Sequence, residues 1–144
     1  MAQIGLLEDN ARIAKLCTTF LHFAGHDVTI YEHPKKCLHA LLSYGINENS
    51  NAVSLARVLS PRVLPIEVLI LDLSLPDIDG VDVVWHLQSQ PRTQRLPLIL
   101  CTAAPSSEIA RALRIAPQAA LVTKPFKLET LIEAISAALS PIAQ

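Results

Sequence analysis

The chain has 144 residues, of which 51% are hydrophobic and 17% charged, and its formal net charge is −1. A chain of this length is expected to form a single domain, here over residues 1–144, that buries roughly 70% of its unfolded surface. The near-neutral charge argues against direct binding to nucleic acid, which requires a concentrated basic patch. No apolar run reaches the length of about 18 residues that a membrane span needs, and no signal peptide follows Met1, so the predicted compartment is the cytoplasm.

Short apolar runs alternate along the chain with segments of helical periodicity, which predicts an α/β fold with a parallel sheet. The predicted strands lie near residues 3–7, 28–31, 68–71, 96–102 and 119–123. A first predicted helix begins after Asn10, which can cap it, and ends before Gly25. The others lie near residues 34–44, from Gly80 through Leu87, near residues 106–114 and at residues 128–139.

Polar side chains follow or close four of the predicted strands. They are Glu8 and Asp9 after the first strand, Asp72 after the third, Thr102 at the end of the fourth and Lys124 after the fifth. The carboxyl ends of parallel strands meet at one edge of an open sheet, where such folds bind their ligands. We therefore expect these residues to form one site.

The residue types at this edge indicate phosphoryl chemistry. Neighbouring carboxylates repel one another unless a hard divalent cation lies between them. Mg²⁺ suits such a place, because it combines one or two carboxylates with water and phosphate oxygens. A lysine and a hydroxyl at the same edge can bind further phosphate oxygens, so the set describes a site where an aspartate oxygen attacks phosphorus.

Four motifs lie in order along the chain: "ED" at residues 8–9, "LILDLSLPDIDG" at residues 69–80, "CTA" at residues 101–103 and "TKPF" at residues 123–126. Through them the chain resembles the receiver domain of two-component response regulators over nearly its whole length. The resemblance implies a flavodoxin-like α/β fold, with a doubly wound five-stranded parallel sheet of order 2-1-3-4-5 flanked by five helices. It also implies that an aspartate accepts a phosphoryl group from a histidine kinase or a histidine phosphotransfer protein.

The resemblance assigns the reacting groups. Asp72 is the expected phosphoacceptor, and Lys124 is expected to contact the phosphoryl group. Thr102 is expected to move toward the acyl phosphate, while the small Ala103 leaves the phosphorus accessible. The peptide bond before Pro125 is expected to be cis.

The resemblance also implies a cofactor and partners. Asp9, Asp72 and the backbone carbonyl of Ser74 are expected to bind Mg²⁺, with Glu8 acting through water or from the second layer of ligands. Phosphorylation is expected to change the affinity for an output protein whose identity stays open. A homodimer that forms on phosphorylation also stays open.

Two features depart from the family pattern. Leu121 stands three positions before the lysine, where an aromatic switch residue is usual, and this leaves the path of the signal open. The segment at about residues 45–65 is longer than usual. We interpret it as a tolerated surface insertion, with a short helix up to Leu59, or as a partner surface.

Two other functions remain as alternatives. A receiver-shaped interaction module that works without phosphorylation would be consistent with Leu121 and the longer segment. A phosphatase of the haloacid dehalogenase type also uses an aspartate, Mg²⁺ and a lysine, but it would need an acid where this chain has Ser74. Because the expected chemistry modifies the protein itself, we predict a signalling domain rather than an enzyme.

Other side chains are expected to have structural roles. The three cysteines lack paired spacing and are predicted to be reduced apolar residues, and the five histidines do not predict a metal site. Asp77 and Asp79 are interpreted as turn formers. The aromatic residues of the helices are interpreted as packing residues; they are Phe20, Phe23 and Trp85.

Overall fold

The structure is a computed structural model that describes residues 2–42 and 64–140. The strands are β1 (Gln3–Leu7), β2 (Asp27–Tyr31), β3 (Val68–Leu71), β4 (Leu98–Thr102) and β5 (Ala120–Thr123). The helices are α1 (Ala11–Phe23), α2 (Pro34–Leu42), α3 (Gly80–Ser89), α4 (Ser106–Ile115) and α5 (Leu128–Leu139). None of the helices in the two described ranges is long and apolar enough to cross a membrane.

The strands form one parallel sheet in the order β2-β1-β3-β4-β5. Together with the five helices of the described residues, this order confirms the predicted flavodoxin-like fold. β3 and β4 lie inside the sheet and are buried at every residue. Their continuous apolar runs follow from this position, because helices cover both faces of a parallel sheet and shield its inner strands from water.

The core consists of two layers, one on each face of the sheet. Leu69 and Leu71 of β3 pack into the layer formed with α2, α3 and α4, whereas Val68 and Ile70 pack into the layer formed with α1 and α5. This division follows from the alternation of side chains along a strand. Each face of the sheet therefore has its own set of apolar contacts.

The element bounds largely follow the sequence prediction. The prediction of β1 and β3 is confirmed residue for residue, and the other described ends differ by at most two residues. Asn10 caps α1 by accepting hydrogen bonds from the N–H groups of Arg12 and Ile13, and Gly25 has a φ of 92° just after the helix ends. The short helix predicted up to Leu59 lies outside the described residues, as does most of the longer segment.

The interpretation of two aromatic residues as packing residues was wrong. Phe23 is 86% exposed and Trp85 is 53% exposed. Helical geometry explains both positions, because successive residues are rotated by about 100° around the helix. Phe23 lies two positions after the buried Leu21, and Trp85 lies one position after the buried Val84, so both side chains lie off the buried stripe.

Candidate functional site

The candidate site lies at the carboxyl edge of the sheet, where β1, β3, β4 and β5 end beside one another. The backbone pairing continues one residue past the strands. The N–H of Asp72 donates to the carbonyl of Leu7 at 3.1 Å, and the N–H of Lys124 donates to the carbonyl of Thr102 at 3.0 Å. These main-chain hydrogen bonds alone hold Asp72 beside β1 and Lys124 beside β4.

Both oxygens of the Asp72 carboxylate accept hydrogen bonds. Its Oδ1 accepts from the N–H of Ser74 at 3.0 Å and from the hydroxyl of Thr102 at 2.7 Å, and its Oδ2 accepts from Nζ of Lys124 at 2.9 Å. Asp72 is 6% exposed and Thr102 is fully buried. A carboxylate at this depth requires such donors, because an unpaired buried charge costs several kcal/mol or more. The site is therefore built around Asp72.

Lys124 also contacts a second buried acid. Its Nζ lies 2.5 Å from Oε1 of Glu8, which is 4% exposed, and the other Glu8 oxygen accepts from the N–H of Asn10 at 3.2 Å. Burial raises the pKa of Glu8, and this effect exceeds the opposing effect of Lys124. Burial lowers the pKa of Lys124, but the hydrogen bonds and charges of Glu8 and Asp72 outweigh it and raise that pKa. The ammonium of Lys124 therefore stays charged.

Three carboxylates face one another at this edge. One oxygen from each of Glu8, Asp9 and Asp72 lies within 4.8 Å of the others. Asp9 is exposed, while the other two acids are buried. This set of hard oxygen donors with one open side suits Mg²⁺, which prefers oxygen ligands and keeps several waters. The residues present therefore fit the cation that the sequence predicted.

The site opens into a cavity of about 600 Å³. Its lining residues are Asp9, Leu73, Ser74, Leu75, Pro76, Asp79, Pro105 and Glu108. Asp79 and Glu108 add negative charge at the opening, a feature without a signal in the sequence. Asp79 also caps α3, because its Oδ1 accepts from the N–H of Val81 at 2.9 Å. Asp79, which was interpreted as a turn former, therefore also caps a helix and lines the cavity.

The structure brings together the five polar residues that the strand ends predicted. Ser74 lies at the cavity opening, as a ligand from the loop would require. The Lys124–Pro125 peptide bond is cis, as predicted. The hydroxyl of Thr102 already binds Asp72 in the unmodified protein, and it also accepts from the N–H of Ala104 at 3.0 Å. Leu121 is 41% exposed on β5.

One contact near the site had no signal in the sequence. Nε2 of His33 lies 2.9 Å from Oδ2 of Asp77, a pair separated by 44 positions in the chain. His33 belongs to none of the four motifs, Asp77 lies within the motif at residues 69–80 but was interpreted as a turn former, and neither residue occupies a strand end. Only the folding of the β2–α2 turn beside the β3–α3 loop places them together.

The family model for the response regulator receiver domain matches residues 4–136 of the chain. Since this match covers most of the sequence, the chain belongs to the family of response regulator receiver domains. Its fold agrees with the resemblance that the four motifs indicated. Receiver domains are signalling domains that work in two-component systems.

Curated relatives include two proteins named as probable transcriptional regulators. TcrX from Mycobacterium tuberculosis is 28% identical over 127 residues, covering 88% of this chain and 45% of the relative. A probable transcriptional regulatory protein from a Picosynechococcus strain is 30% identical over 132 residues, covering 91% of this chain and 46% of the relative. The chain thus spans about half the length of the curated relatives it matches.

Solved structures share the fold at lower identity. A putative response regulator from Chloroflexus aurantiacus has a TM-score of 0.75 at 20% identity, covering 96% of this chain and 97% of that one. The response regulator TrrA from Thermotoga maritima, solved in complex with Mg²⁺-BeF, has a TM-score of 0.71 at 21% identity, covering 96% and 100%. These similarities establish the architecture.

Proposed function

We propose that Asp72 accepts a phosphoryl group from the phosphohistidine of a histidine kinase or a histidine phosphotransfer protein. The observation that carries the proposal is the arrangement around Asp72, a buried carboxylate whose oxygens accept from Ser74, Thr102 and Lys124. Donors that hold a carboxylate before the reaction lie where charge develops on the phosphoryl oxygens during it. Family membership supports the same reaction.

In the proposed step an Asp72 oxygen attacks the phosphorus of the donor. An O–P bond forms and the P–N bond to the donor imidazole breaks, with its electron pair leaving on the imidazole nitrogen. The product is a mixed anhydride between phosphate and Asp72. The ammonium of Lys124 balances charge on one phosphoryl oxygen, and the hydroxyl of Thr102 donates to another.

The cation in this proposal is Mg²⁺, held by Asp9, Asp72 and the carbonyl of Ser74, with Glu8 acting through water. When bound, it neutralises charge on the transferring phosphoryl group. The cluster of three carboxylates supports this assignment, as does the Mg²⁺-BeF complex of TrrA. Glu8 and Asp72 share the single ammonium of Lys124, so the acidic site retains negative charge for a cation.

Intact mass after incubation with Mg²⁺ and acetyl phosphate tests the reaction. The wild-type protein is expected to gain one phosphoryl group, and Asp72→Asn is expected to gain none. Asp77→Asn, a neighbouring acid that contacts His33 on the surface, is the matched control and should still be phosphorylated. A wild-type protein that stays unmodified, or an Asp72→Asn protein that is modified, would contradict the proposal.

The proposed output is a change in affinity for a protein partner, including a second copy of the chain. α4 and β5 are the elements that would transmit it, because α4 follows the loop after Thr102 and β5 ends directly before Lys124. The test uses beryllofluoride with Mg²⁺ as a phosphoryl mimic and records amide resonances. Resonance changes that extend from the site into α4 and β5 support the switch.

Two observations favour a second candidate, an interaction module that works without phosphorylation. The hydroxyl of Thr102 is already bound to Asp72, and Leu121 has no aromatic ring to reorient. For this candidate, beryllofluoride would change resonances only around the site. A phosphatase of the haloacid dehalogenase type has less support, because Ser74 replaces the acid that it would need.

A further inference from the structure

We infer that His33 is a positioning residue for the cation site, because it binds Asp77 and so holds the loop that presents the Ser74 carbonyl. The β3–α3 loop comprises residues 72–79 and connects the acceptor aspartate to α3. This inference rests on the proposed function, since it concerns the same Mg²⁺ site. It adds a residue from the turn between β2 and α2 that belongs to none of the four motifs.

The hydrogen bonds of His33 define which ring nitrogen carries the proton. Nδ1 accepts from the N–H of Lys35 at 3.1 Å, so this nitrogen is unprotonated. In the neutral imidazole the proton then lies on Nε2, which donates to Oδ2 of Asp77 at 2.9 Å. The contact with Asp77 is therefore an oriented hydrogen bond that needs no charge on the imidazole.

His33 is attached to a rigid part of the molecule. It directly precedes α2, and its carbonyl accepts the first helical hydrogen bond, from the N–H of Cys37 at 3.1 Å. Cys37 and Leu41 of this helix are fully buried in the core. The imidazole therefore connects an exposed acid to a helix that packing holds in place.

Between Ser74 and Asp79 the loop contacts the core through Leu75 and Ile78, which are partly buried. Ser74, Pro76 and Asp77 are exposed, and no side chain of these three is buried in the core. The main-chain bonds of the loop converge on Leu73, whose carbonyl accepts from the N–H groups of Leu75 and Gly80, both at 3.2 Å. Asp79 adds a longer pair with Arg111 at 3.6 Å. Of these two polar side-chain contacts among the described residues, the one between His33 and Asp77 is the shorter.

The consequence concerns Mg²⁺ affinity rather than the chemical step. A carbonyl ligand on a loosely held loop loses conformational freedom when the cation binds, and a loop that is already fixed loses less. Without the His33 contact, more Mg²⁺ is needed to fill the site. Once the site is full, Asp72, Thr102 and Lys124 are unchanged, so the maximal rate of phosphorylation is unchanged too.

The test measures Mg²⁺ binding to the unphosphorylated protein by titration calorimetry, and beside it the initial rate of phosphorylation by acetyl phosphate against Mg²⁺ concentration. Asp77→Leu is expected to raise the half-saturating Mg²⁺ concentration about two- to fivefold, in the range of exposed side-chain pairs, with no change in maximal rate. Asp77→Asn keeps an oxygen acceptor and is expected to restore the wild-type value. His33→Phe should raise the half-saturating Mg²⁺ concentration as much as Asp77→Leu does. The double variant should raise it no further than either single variant.

The Gln3–Asp27 pair provides a matched control, because it is also exposed and 2.9 Å long but lies at the opposite edge of the sheet. Gln3→Met should leave the Mg²⁺ dependence unchanged. His33→Phe also removes the hydrogen bond from the N–H of Lys35 at the start of α2. Asp77→Leu keeps that hydrogen bond, so it decides the outcome if His33→Phe fails to fold. A wild-type Mg²⁺ dependence in Asp77→Leu, or an equal shift in Gln3→Met, overturns the inference. A wild-type protein that is not phosphorylated overturns the proposed function instead.

Discussion

The effect of burial on an ionisable side chain depends on whether a hydrogen-bond donor or an opposite charge lies beside it. Asp72 and Glu8 are buried charges that obtain donors from the ends of neighbouring strands. The cysteine thiols are buried without such partners among the described residues. Burial raises the pKa of both Cys37 and Cys101 to about 12, and it raises the pKa of Cys17 as well. Since the thiolate is the reactive form, these thiols should be inert in the folded protein.

This difference predicts the reactivity of the thiols toward Ellman's reagent. At pH 8 the folded protein is expected to react slowly, because buried thiols with a raised pKa carry almost no thiolate. In denaturant all three should react within the mixing time, since the chain contains three free cysteines. As the pH of the folded protein is raised, the rate should keep rising past pH 9, where an ordinary thiol is already half ionised, because the raised pKa delays thiolate formation. Rapid release of three equivalents from the folded protein at pH 8 would contradict this account.

At the scale of single elements, the start of α3 depends on the absence of a side chain. A Cβ at Gly80 would lie within 2.7 Å of the Cα, carbonyl carbon and carbonyl oxygen of Leu73. Backbone atoms cannot move aside as the end of a side chain can. Gly80→Ala is expected to lower the free energy of unfolding by about 1–3 kcal/mol, the usual cost of overpacking.

Urea unfolding measures this cost, and Gly25→Ala separates steric overlap from backbone strain. Gly25 has a positive φ, but a Cβ there would meet nothing within 4 Å. Its substitution should therefore cost only the strain of the left-handed conformation, about 1–2 kcal/mol. If Gly80→Ala shows wild-type stability, the close approach of α3 to Leu73 is not part of the folded structure.

The edge strand β5 offers a second test at this scale. Val122 is 2% exposed and packs into the layer with α1 and α5, whereas its neighbour Leu121 is 41% exposed. Val122→Ala is expected to cost roughly 1–3 kcal/mol, because it leaves a cavity in the core. Leu121→Ala should cost less than about 1 kcal/mol. Thermal unfolding of the two variants compares them, and a reversed order would place the two faces of β5 the other way round.

At the scale of the whole molecule, the proposed cation site would couple ligand binding to stability. The three carboxylates converge only after folding brings β1 and β3 together, so the unfolded chain has no such site. A cation that binds the folded state but not the unfolded state stabilises the folded state. At a Mg²⁺ concentration ten times Kd, the free energy of unfolding is expected to rise by about 1.4 kcal/mol. Removing Mg²⁺ with a chelator should reverse the gain.

Asp9→Asn provides the control for this prediction. Asp9 is exposed and carries no described hydrogen bond to Lys124, so the variant should fold while losing one of the three carboxylates. Urea unfolding with and without Mg²⁺ should then show little stabilisation. Equal stabilisation of both proteins by Mg²⁺ would place the cation elsewhere in the molecule.

The sequence predicted most of the fold and most of the site. The apolar run that ends at Asp72 and the acids after β1 identify the strand ends without reference to tertiary contacts. Parallel strands bring those ends together, so Thr102 and Lys124 could be assigned to the same edge. The bounds of β1 and β3 followed from unbroken apolar runs, which reflect burial on both faces.

The sequence by itself determined which residue types stand at the strand ends, because apolar patterning and strand order act along the chain. Only the tertiary structure decided which side chains bind each other, such as His33 with Asp77 and Lys124 with Glu8. It also decided that Phe23 and Trp85 face solvent, since the rotation of a helix against the sheet is set by packing. Contacts between distant segments depend on angles and distances that no local pattern encodes.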